Sequence, residues 1–348
     1  MAEALATKYR PKTFDDVTEQ GAVKTILQQQ IASKEVRHAY LFCGGAGTGK
    51  TTCARIFAFE INCGKGNPLE LDAASNNSVD DIRNIIQQAK VQSIDSEYRI
   101  FILDEVHALS NSAWQAMLKL LEEPPKKSIF IMCTTNPEKI PKTILSRVQR
   151  FDFRRISQKG IVDRLETIVL AEKMTNQISC GDIELDGAAL DYIAKVAAGG
   201  MRDAITLLDK CLAYSHELTV ENVIKALGTV DYEVFFALTD EVFNKRADGA
   251  IKVIETVYAD GKDLKQFVKD YMAFLLDINK YDILHSFDYL QLPNTYSDAL
   301  ENYNREWFDC CRELLPTICK LNADIKWETQ PKVVIEALLL REIYGSDI

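Results

Sequence analysis

Residues 44–51 read GGAGTGKT, which matches the phosphate-binding spacing G-x-x-x-x-G-K-[ST]. An apolar run from Tyr40 to Cys43 precedes this segment, and a helical pattern from Thr52 to Ile61 follows it. A helix that begins directly after such a turn points its free N–H groups and its dipole at phosphate oxygens. A glycine-rich turn without a ligand would need neither Lys50 nor Thr51, so the segment predicts a site for nucleotide phosphates.

This phosphate loop supplies most of the predicted nucleotide contacts. Lys50 is expected to reach the β and γ phosphates, and the Thr51 hydroxyl is expected to take a position on Mg²⁺. The predicted phosphate-binding residues are Gly45, Ala46, Gly47, Thr48, Gly49, Lys50, Thr51 and Thr52.

The composition predicts a folded protein with an acidic balance. Of the 348 residues, 47% are hydrophobic, which is enough for a large core and excludes disorder for most of the chain. The formal net charge is -10, whereas a protein that binds nucleic acid over a broad face usually has a basic excess. Contact with DNA or RNA would therefore come from a local basic strip or from an assembly.

Cysteine usage and the amino terminus indicate the compartment. The nine cysteines include no C-x-x-C pair, so neither a zinc knuckle nor a disulfide framework is indicated. Free thiols in this number are typical of a reducing cytosol. No stretch resembles a signal peptide or approaches the roughly 18 apolar residues of a membrane span. We therefore expect a soluble, cytoplasmic protein without membrane contact.

Short apolar runs alternate with helical patterns after the loop. The runs at 100–103 and 129–133 are apolar almost throughout, which is typical of strands buried on both faces of a parallel sheet. Further apolar runs and helical patterns occupy residues 69–73, 79–89, 112–123 and 151–153. The alternation predicts a doubly wound α/β domain that ends near residue 155.

Beyond residue 155 the sequence predicts helices and no strands. Residues 157–227 offer three or four amphipathic helices, including residues 188–197, 202–214 and 220–227. Residues 231–344 continue helical with apolar, aromatic-rich faces, for example over residues 264–276. We expect an α/β domain over residues 1–155, a small helical domain over residues 156–228 and an all-α domain over residues 229–348.

Two acids follow the apolar run at 100–103. Carboxylates at an apolar sheet edge cost free energy unless a cation or hydrogen-bond donors meet them, so Asp104 and Glu105 point to function. In a nucleotide hydrolase Asp104 would support the Mg²⁺ shell, and Glu105 would orient and activate the attacking water. The alternative, a strand that leaves the core for solvent, is disfavoured by the phosphate loop upstream.

Three weaker signals follow. The segment Thr134-Thr135-Asn136, after the run at 129–133, would bring a hydroxyl or an amide beside the γ-phosphate, although polar residues are ordinary turn formers there. Arg202 opens a predicted helix, where a cation opposes the helix dipole unless it faces an anion such as the γ-phosphate. For Arg202 and for Arg147 a surface salt bridge is an equal alternative.

Motifs along the whole chain carry a family resemblance. They are Lys8-Tyr9-Arg10-Pro11, His38-Ala39-Tyr40-Leu41-Phe42, Asp72-Ala73-Ala74-Ser75, Asp104-Glu105-Val106-His107-Ala108-Leu109, Leu120-Leu121-Glu122-Glu123-Pro124-Pro125, Ser146-Arg147 and Arg202-Asp203-Ala204. In this order they resemble the gamma/tau family of DNA polymerase III, bacterial clamp loader ATPases of the AAA+ class. The phosphate loop alone would mark only a nucleotide-binding superfamily.

The resemblance implies an AAA+ P-loop ATPase domain, a helical lid and a helical collar through which clamp loader subunits form an open spiral. It implies an ATP-hydrolysing motor subunit of a DNA polymerase holoenzyme that loads the sliding clamp onto primer-template DNA, with ATP and Mg²⁺ as ligands. By position, Arg147 resembles an arginine finger given in trans, Arg202 resembles the second sensor in cis, and Thr135 resembles the first sensor, with Asn136 as the alternative.

The resemblance also implies contacts with the base and with DNA. The residues expected to line the adenine pocket are Tyr9, Arg10, Pro11, Val17 and Thr18. DNA would lie inside the assembled spiral, near helix N-termini and a few polar groups. The candidate DNA contacts are Asn76, Asn77 and Arg83, although each of these residue types is more often an ordinary helix cap or surface residue.

Two features depart from the family pattern. Relatives usually carry a four-cysteine zinc module where residues 62–68 have the single cysteine Cys63, so no zinc is expected. The usual Ser-Arg-Cys is Ser146-Arg147-Val148 here, which keeps the arginine. Without a long extension after the collar, the chain is expected to be a short gamma-like form.

Two alternative functions are open on the sequence. A non-hydrolysing structural subunit of the same assembly would lend Arg147 to a neighbour, but it would not need Lys50, Thr51, Asp104 and Glu105 together. Another AAA+ motor on DNA, such as a branch-migration motor, would need pore loops or DNA-reading appendages that the sequence does not offer.

Overall fold

Five short strands form one parallel sheet in the computed structural model of the chain. They are β1 (Ala39–Cys43), β2 (Leu69–Asp72), β3 (Arg99–Asp104), β4 (Ser128–Thr134) and β5 (Gln149–Asp152). Their order is β2-β3-β4-β1-β5, and every residue of β1 and β4 is buried. The doubly wound, five-stranded parallel sheet predicted from the sequence is therefore confirmed, with the strand that feeds the phosphate loop inside the sheet.

The structure describes residues 3–91, 95–174, 184–228, 232–287, 289–293 and 296–345. Two units are distinguished: Met1–Cys180 with Ile193–Asp209, and Gly181–Tyr192 with Lys210–Ile348. The sheet lies entirely in the first unit. Within the described residues no helix combines the length and the apolar character that crossing a membrane requires. The domain boundaries predicted near residues 155 and 228 stay a prediction.

Helices cover both faces of the sheet. The helices up to residue 174 are α1 (Leu5–Lys8), α2 (Gly21–Ser33), α3 (Lys50–Ile61), α4 (Val79–Ala89), α5 (Asn111–Glu122), α6 (Lys142–Leu145) and α7 (Gln158–Met174). Phe42 and Phe57 belong to the apolar cluster that includes α2 and α3, whereas Met117 and Phe130 belong to the cluster that includes α4 and α5. Because close packing on both faces fixes the central strands, the loops that leave their carboxyl ends start from fixed positions.

Two very short strands correct the expectation that no strand follows residue 155. Strand β6 (Glu184–Leu185) pairs in parallel with β7 (Glu217–Leu218). Two residues are too few to give an alternating apolar pattern, so periodicity could not reveal either strand. Helices α8 (Gly187–Val196), α9 (Met201–Tyr214) and α10 (Val220–Leu227) match the predicted helices to within one residue at each end.

Aromatic side chains fill the core of the helical second unit. Its carboxyl-terminal helices are α11 (Tyr232–Phe243), α12 (Ala247–Ala259), α13 (Leu264–Leu284), α14 (Ser297–Glu301), α15 (Arg305–Asp324) and α16 (Pro331–Tyr344). Asp240 accepts hydrogen bonds from the indole N–H of Trp307 at 2.7 Å and from the Tyr303 hydroxyl at 3.1 Å. Helix α13 extends beyond the predicted end at Leu276, because Ile278 continues its buried face.

Gly44 gives a stability test of the packing beneath the phosphate loop. A Cβ at Gly44 would lie 2.5 Å from the carbonyl oxygen of Phe153, and its φ of +153° disfavours side chains. We expect Gly44→Ala to destabilise the fold by about 1 to 3 kcal/mol, because the obstructing atom is backbone. The first thermal transition should fall by roughly 2–4 °C per kcal/mol.

The matched control is Gly21→Ala at the start of α2, where a Cβ would meet nothing within 4 Å. Thermal unfolding of both variants by circular dichroism checks the prediction. Equal midpoints for the two variants would contradict it.

Candidate active site

The phosphate loop connects β1 to α3 through two left-handed glycines. Gly47 has φ +68° and Gly49 has φ +100°, a region that side chains rarely adopt. Lys50, the first residue of α3, is 6% exposed, and its ammonium donates to the carbonyls of Gly44 at 2.9 Å and Gly45 at 2.7 Å. Burial lowers the pKa of Lys50, and the negative charges of Glu105 and Asp104 partly offset this shift. The loop therefore holds a buried cation against its own backbone.

Thr51 and Asp104 bring two oxygens together beside the loop. The Thr51 hydroxyl donates to Asp104 Oδ2 at 2.8 Å, and Asp104 Oδ1 accepts from the backbone N–H of Glu105 at 3.0 Å. Hydroxyl and carboxylate oxygens are the donor types that Mg²⁺ prefers. The two side chains that the sequence assigned to Mg²⁺ are therefore adjacent and of suitable chemistry.

Glu105 has a strained backbone, and its carboxylate is held by two donors of Thr135 beside the ring of His107. Its φ of +47° is left-handed, which is uncommon for a residue with a side chain. Its Oε2 accepts from the backbone N–H of Thr135 at 3.2 Å and from the Thr135 hydroxyl at 2.9 Å. His107 Nδ1 lies 3.1 Å from the same oxygen and 3.2 Å from the hydroxyl of Thr134. His107 belongs to the motif of residues 104–109 that carries the family resemblance, but no role in the site was predicted for it.

Thr135 thus contacts the acid that the sequence assigned to the attacking water. Asn136, the alternative candidate, instead donates its backbone N–H to the Thr134 hydroxyl at 3.0 Å. Of the two residues, Thr135 is the one whose side chain joins the Glu105 network. This geometry favours Thr135 for a role next to the reacting phosphate, and that role stays a prediction.

The amino end of α9 lies directly against the phosphate loop. The backbone N–H of Met201 donates to the carbonyl of Gly47 at 3.0 Å, and a Cβ on Gly47 would lie 3.0 Å from the Cα of Gly200. Arg202 follows in the first turn of α9 and is exposed. Burial, followed by the charge of Arg55 and more weakly of Arg202, lowers the pKa of Arg10. A Cβ on Gly47 would also lie 3.3 Å from the backbone nitrogen of Arg202, so the Arg202 backbone lies beside the loop. The role of its side chain at the γ-phosphate stays a prediction.

The residues predicted to line the adenine pocket lie on two segments. The Arg10 Nε donates to the Thr52 hydroxyl on α3 at 3.3 Å, and Tyr9 and Pro11 beside it are partly buried. Val17 is 6% exposed and belongs to the core cluster under α2 and α3. With Thr18 it also lines a cavity of about 470 Å³ against α7.

Arg147 lies at the opposite edge of the sheet from the phosphate loop. Its guanidinium bonds to Glu122 Oε1 at 2.8 Å and to the carbonyl of Thr143 at 2.7 Å. It precedes β5, and Asp152 at the far end of β5 pairs with Cys43 beside the loop. A parallel strand rises about 3.3 Å per residue, so five residues separate Arg147 from that edge by roughly 16 Å. The structure does not bring Arg147 to its own phosphate loop.

The candidate DNA contacts lie around the amino end of α4. Asn76 donates its side-chain amide to the carbonyl of Asp72 at 3.0 Å, and Arg83 bonds to Asp80 at 2.9 Å. The carbonyl of Asn77 accepts from the backbone N–H of Ser110. Each residue forms a hydrogen bond or an ion pair within the protein. Their contact with DNA stays a prediction.

Comparison with known proteins gives matches along nearly the whole chain. Residues 19–78 and 69–157 match the DNA polymerase III delta subunit family, and residues 160–217 match the ATPase lid domain of the DNA polymerase III clamp loader subunit. Residues 218–348 match domain III of the DNA polymerase III subunits gamma and tau. The chain belongs to the DNA polymerase III gamma/tau family.

Individual gamma/tau relatives agree with this assignment. The tau subunit of Bacillus subtilis is 34% identical over 97% of this chain, and the match spans 63% of that relative. The gamma/tau subunit of Mycobacterium tuberculosis is 32% identical over 99% of this chain and 63% of the relative. The gamma subunit of Buchnera aphidicola is 28% identical over 98% of both chains. The chain therefore spans about two thirds or less of several longer relatives and nearly all of this gamma subunit.

Solved structures give a likeness of fold alone. Thermotoga maritima RuvB, a Holliday junction branch migration motor, superposes with a TM-score of 0.52 at 19% identity. The superposition covers 67% of this gamma/tau chain and 79% of the RuvB chain. This likeness agrees with the AAA+ fold predicted from the sequence and carries no functional assignment.

The Thr51–Asp104 pair gives a test of the metal site. Thr51→Val keeps the shape of the side chain but removes the hydroxyl that donates to Asp104. We expect the Mg²⁺ concentration for half-maximal nucleotide binding to rise about 10- to 100-fold, since loss of a ligand or its support typically has that effect on metal affinity. Titration of Mg²⁺ with a fluorescent ATP analogue measures it.

Thr167→Val on α7 is the control, because its hydroxyl bonds only within its own helix, to the carbonyl of Asp163. An unchanged Mg²⁺ requirement in Thr51→Val would contradict the site.

Proposed function

We propose that the chain is the ATP-hydrolysing motor subunit of a clamp loader, which opens a sliding clamp and loads it onto primer-template DNA. The observation that carries the proposal is the meeting of Lys50, Thr51, Asp104 and Glu105 at one edge of the sheet. A subunit with a purely structural role would need no such group of reactive side chains. Gamma/tau membership supports the proposal for nearly the whole length of the chain.

The chemistry follows from how these side chains are held. Lys50 would bind the β and γ phosphates from the buried position where its ammonium now faces the loop carbonyls. Glu105, with its carboxylate fixed by Thr135, would orient the attacking water and accept its proton. Mg²⁺, when bound beside Thr51 and Asp104, would neutralise charge on the phosphates. Arg202 would act on the γ-phosphate of the same site from the first turn of α9.

Arg147 would complete the site of a neighbouring subunit. Its place at the far edge of the sheet puts it out of reach of its own phosphate loop, and its guanidinium is held by a partly exposed carboxylate, Glu122. A guanidinium displayed in this way suits a role in trans, where it would stabilise charge on a neighbour's γ-phosphate. The alternative is a surface ion pair with no further role.

We further propose the division of labour along the chain. Residues 1–155 would be the ATPase domain, residues 156–228 the lid, and residues 229–348 the collar that joins clamp loader subunits. The sliding clamp and primer-template DNA would be the remaining partners, in the cytoplasm. With a net charge of -10, the chain would bind DNA inside an assembled spiral rather than by itself.

ATP turnover of the assembled loader tests the proposal. We expect cognate clamp and primer-template DNA to stimulate the ATPase rate, and we expect Lys50→Ala to abolish nucleotide binding. Arg147→Ala should keep nucleotide binding but lose stimulated turnover by on the order of 10³-fold, the effect typical of an arginine finger. Steady-state phosphate release and nucleotide titration measure the two quantities, with partner subunits supplied.

Arg150→Ala is the matched control. Arg150 is also an exposed arginine that pairs with a carboxylate, Asp152, and it lies in β5, the strand that follows Arg147. Mixing Lys50→Ala with Arg147→Ala subunits should recover part of the activity, because some boundaries then combine an intact loop with an intact Arg147. Full turnover by a homogeneous Arg147→Ala assembly would disprove the role in trans. A rate that clamp and DNA leave unchanged would disprove the loader function.

A further inference from the structure

A short amino-terminal arm, residues 4–11, connects the predicted adenine residues to the helices around the phosphate loop. The arm contains α1 and ends in Tyr9, Arg10 and Pro11. Its first contact is with α9, where the backbone N–H of Leu5 donates to Asp209 Oδ2 at 3.1 Å. The arm also contacts α7, mainly through one carboxylate.

That carboxylate is Glu172, which is 7% exposed near the end of α7. The ammonium of Lys8 donates to its Oε1 at 2.7 Å, and the phenol of Tyr9 lies close enough to the same carboxylate for each to shift the pKa of the other. The guanidinium of Arg164, two turns earlier on α7, donates to the carbonyl of Tyr9 at 3.0 Å. Helix α7 therefore holds consecutive arm residues through side chains and backbone together.

Charge and burial agree with this geometry. Burial by itself would raise the pKa of Glu172, but hydrogen bonds from Lys8 and Tyr9 lower it on balance, so the carboxylate stays ionised. Burial, with the hydrogen bond to Glu172, raises the pKa of Tyr9 to about 12, so the phenol stays protonated and remains a donor. A buried carboxylate is retained at low cost only when such partners surround it.

The other end of the arm bonds to the first turn of α3, directly after the phosphate loop. Arg10 donates to the Thr52 hydroxyl at 3.3 Å, one residue after the predicted Mg²⁺ ligand Thr51. Tyr9, whose ring also lies 5.4 Å from the Lys8 ammonium, is thus fixed between Glu172 on one side and the Arg10 contact on the other. A nucleotide base beside Tyr9 would meet a surface whose position depends on Glu172.

We infer that Glu172 is a positioning residue that sets the affinity for the nucleoside part of ATP by fixing the arm. The inference rests on the proposed function, since it takes Tyr9 to Pro11 as the adenine-facing segment. Glu172 itself acts through Lys8 and Tyr9 and has no part in the hydrolysis. Its effect should therefore depend on whether the ligand carries a base and a ribose.

The test compares ATP with inorganic tripolyphosphate in displacement of a fluorescent ADP analogue from the full chain. We expect Glu172→Gln to weaken ATP binding about 5- to 20-fold, within the range of ordinary coupling between sites, and to leave tripolyphosphate affinity within twofold. At saturating ATP the turnover number should stay within twofold, so that KM rises while kcat does not.

Two further variants keep the result interpretable. Tyr9→Phe removes only the hydroxyl that meets Glu172 and should weaken ATP binding in the same selective way even if Glu172→Gln folds poorly. Glu166→Gln, on the same helix and only partly buried, is the control and should leave both affinities unchanged. Combining Tyr9→Phe with Glu172→Gln should cost less than the sum of the two separate effects, because one removes the phenol and the other the charge of the same Tyr9–Glu172 contact.

Each outcome decides the question. Equal loss of ATP and tripolyphosphate affinity in Glu172→Gln would mean that Glu172 supports the fold rather than the arm, and would overturn the inference. Unchanged ATP affinity in both Glu172→Gln and Tyr9→Phe would also overturn it. If Lys50→Ala itself leaves nucleotide binding intact, the proposed function fails; if Lys50→Ala abolishes binding and the arm variants do nothing, only the inference fails.

Discussion

Close approach of backbone to backbone at the phosphate loop is the constraint on which the site depends. The carbonyl of Gly47 accepts from the N–H of Met201 at 3.0 Å, and no side chain fits between Gly47 and Gly200. Two distant parts of the sequence thus share one hydrogen bond at the point where the sheet presents its carboxyl ends. The helix that carries Arg202 is anchored there by backbone, so its position does not rely on the conformation of any long side chain.

Because all five strands run in the same direction, the sheet places the predicted nucleotide site and Arg147 at opposite ends of its strands. Strand ends that feed Lys50, Asp104 and Thr135 all lie at the carboxyl edge, where loops from adjacent strands meet. Arg147 comes before a strand and therefore lies at the amino edge. Under the proposed function, a single subunit would hold most of a hydrolytic site at one edge and would offer Arg147 from the other edge to a neighbouring subunit.

Much of the fold followed from the sequence because its signals are local. The phosphate loop and the apolar strands β3 and β4 each combine several residues that agree with one another. The two-residue strands β6 and β7 could not be predicted, since their pairing depends on contacts between residues more than thirty positions apart.

In the site, the loop and the two acids could be predicted because their spacing is itself the signal. The contacts of His107 and Glu172 could not, since a motif that contains His107 does not reveal which groups its ring meets, and a glutamate late in an amphipathic helix has no distinguishing pattern. Their partners, Thr134, Lys8 and Tyr9, come from other parts of the chain. The sequence therefore identified groups that would touch the nucleotide and missed groups that hold those groups in place.

The ion pair between Arg147 and Glu122 has a consequence for assembly. Both side chains are partly exposed, at 35% and 46%, and such pairs contribute only about 0 to 1 kcal/mol. Glu122 thus holds the guanidinium in place only weakly, and under the proposed function an anion of higher charge would displace Glu122 from Arg147. Salt weakens the Arg147–Glu122 ion pair as well. The fraction of Arg147 side chains that are free to bind another anion therefore depends on the salt concentration.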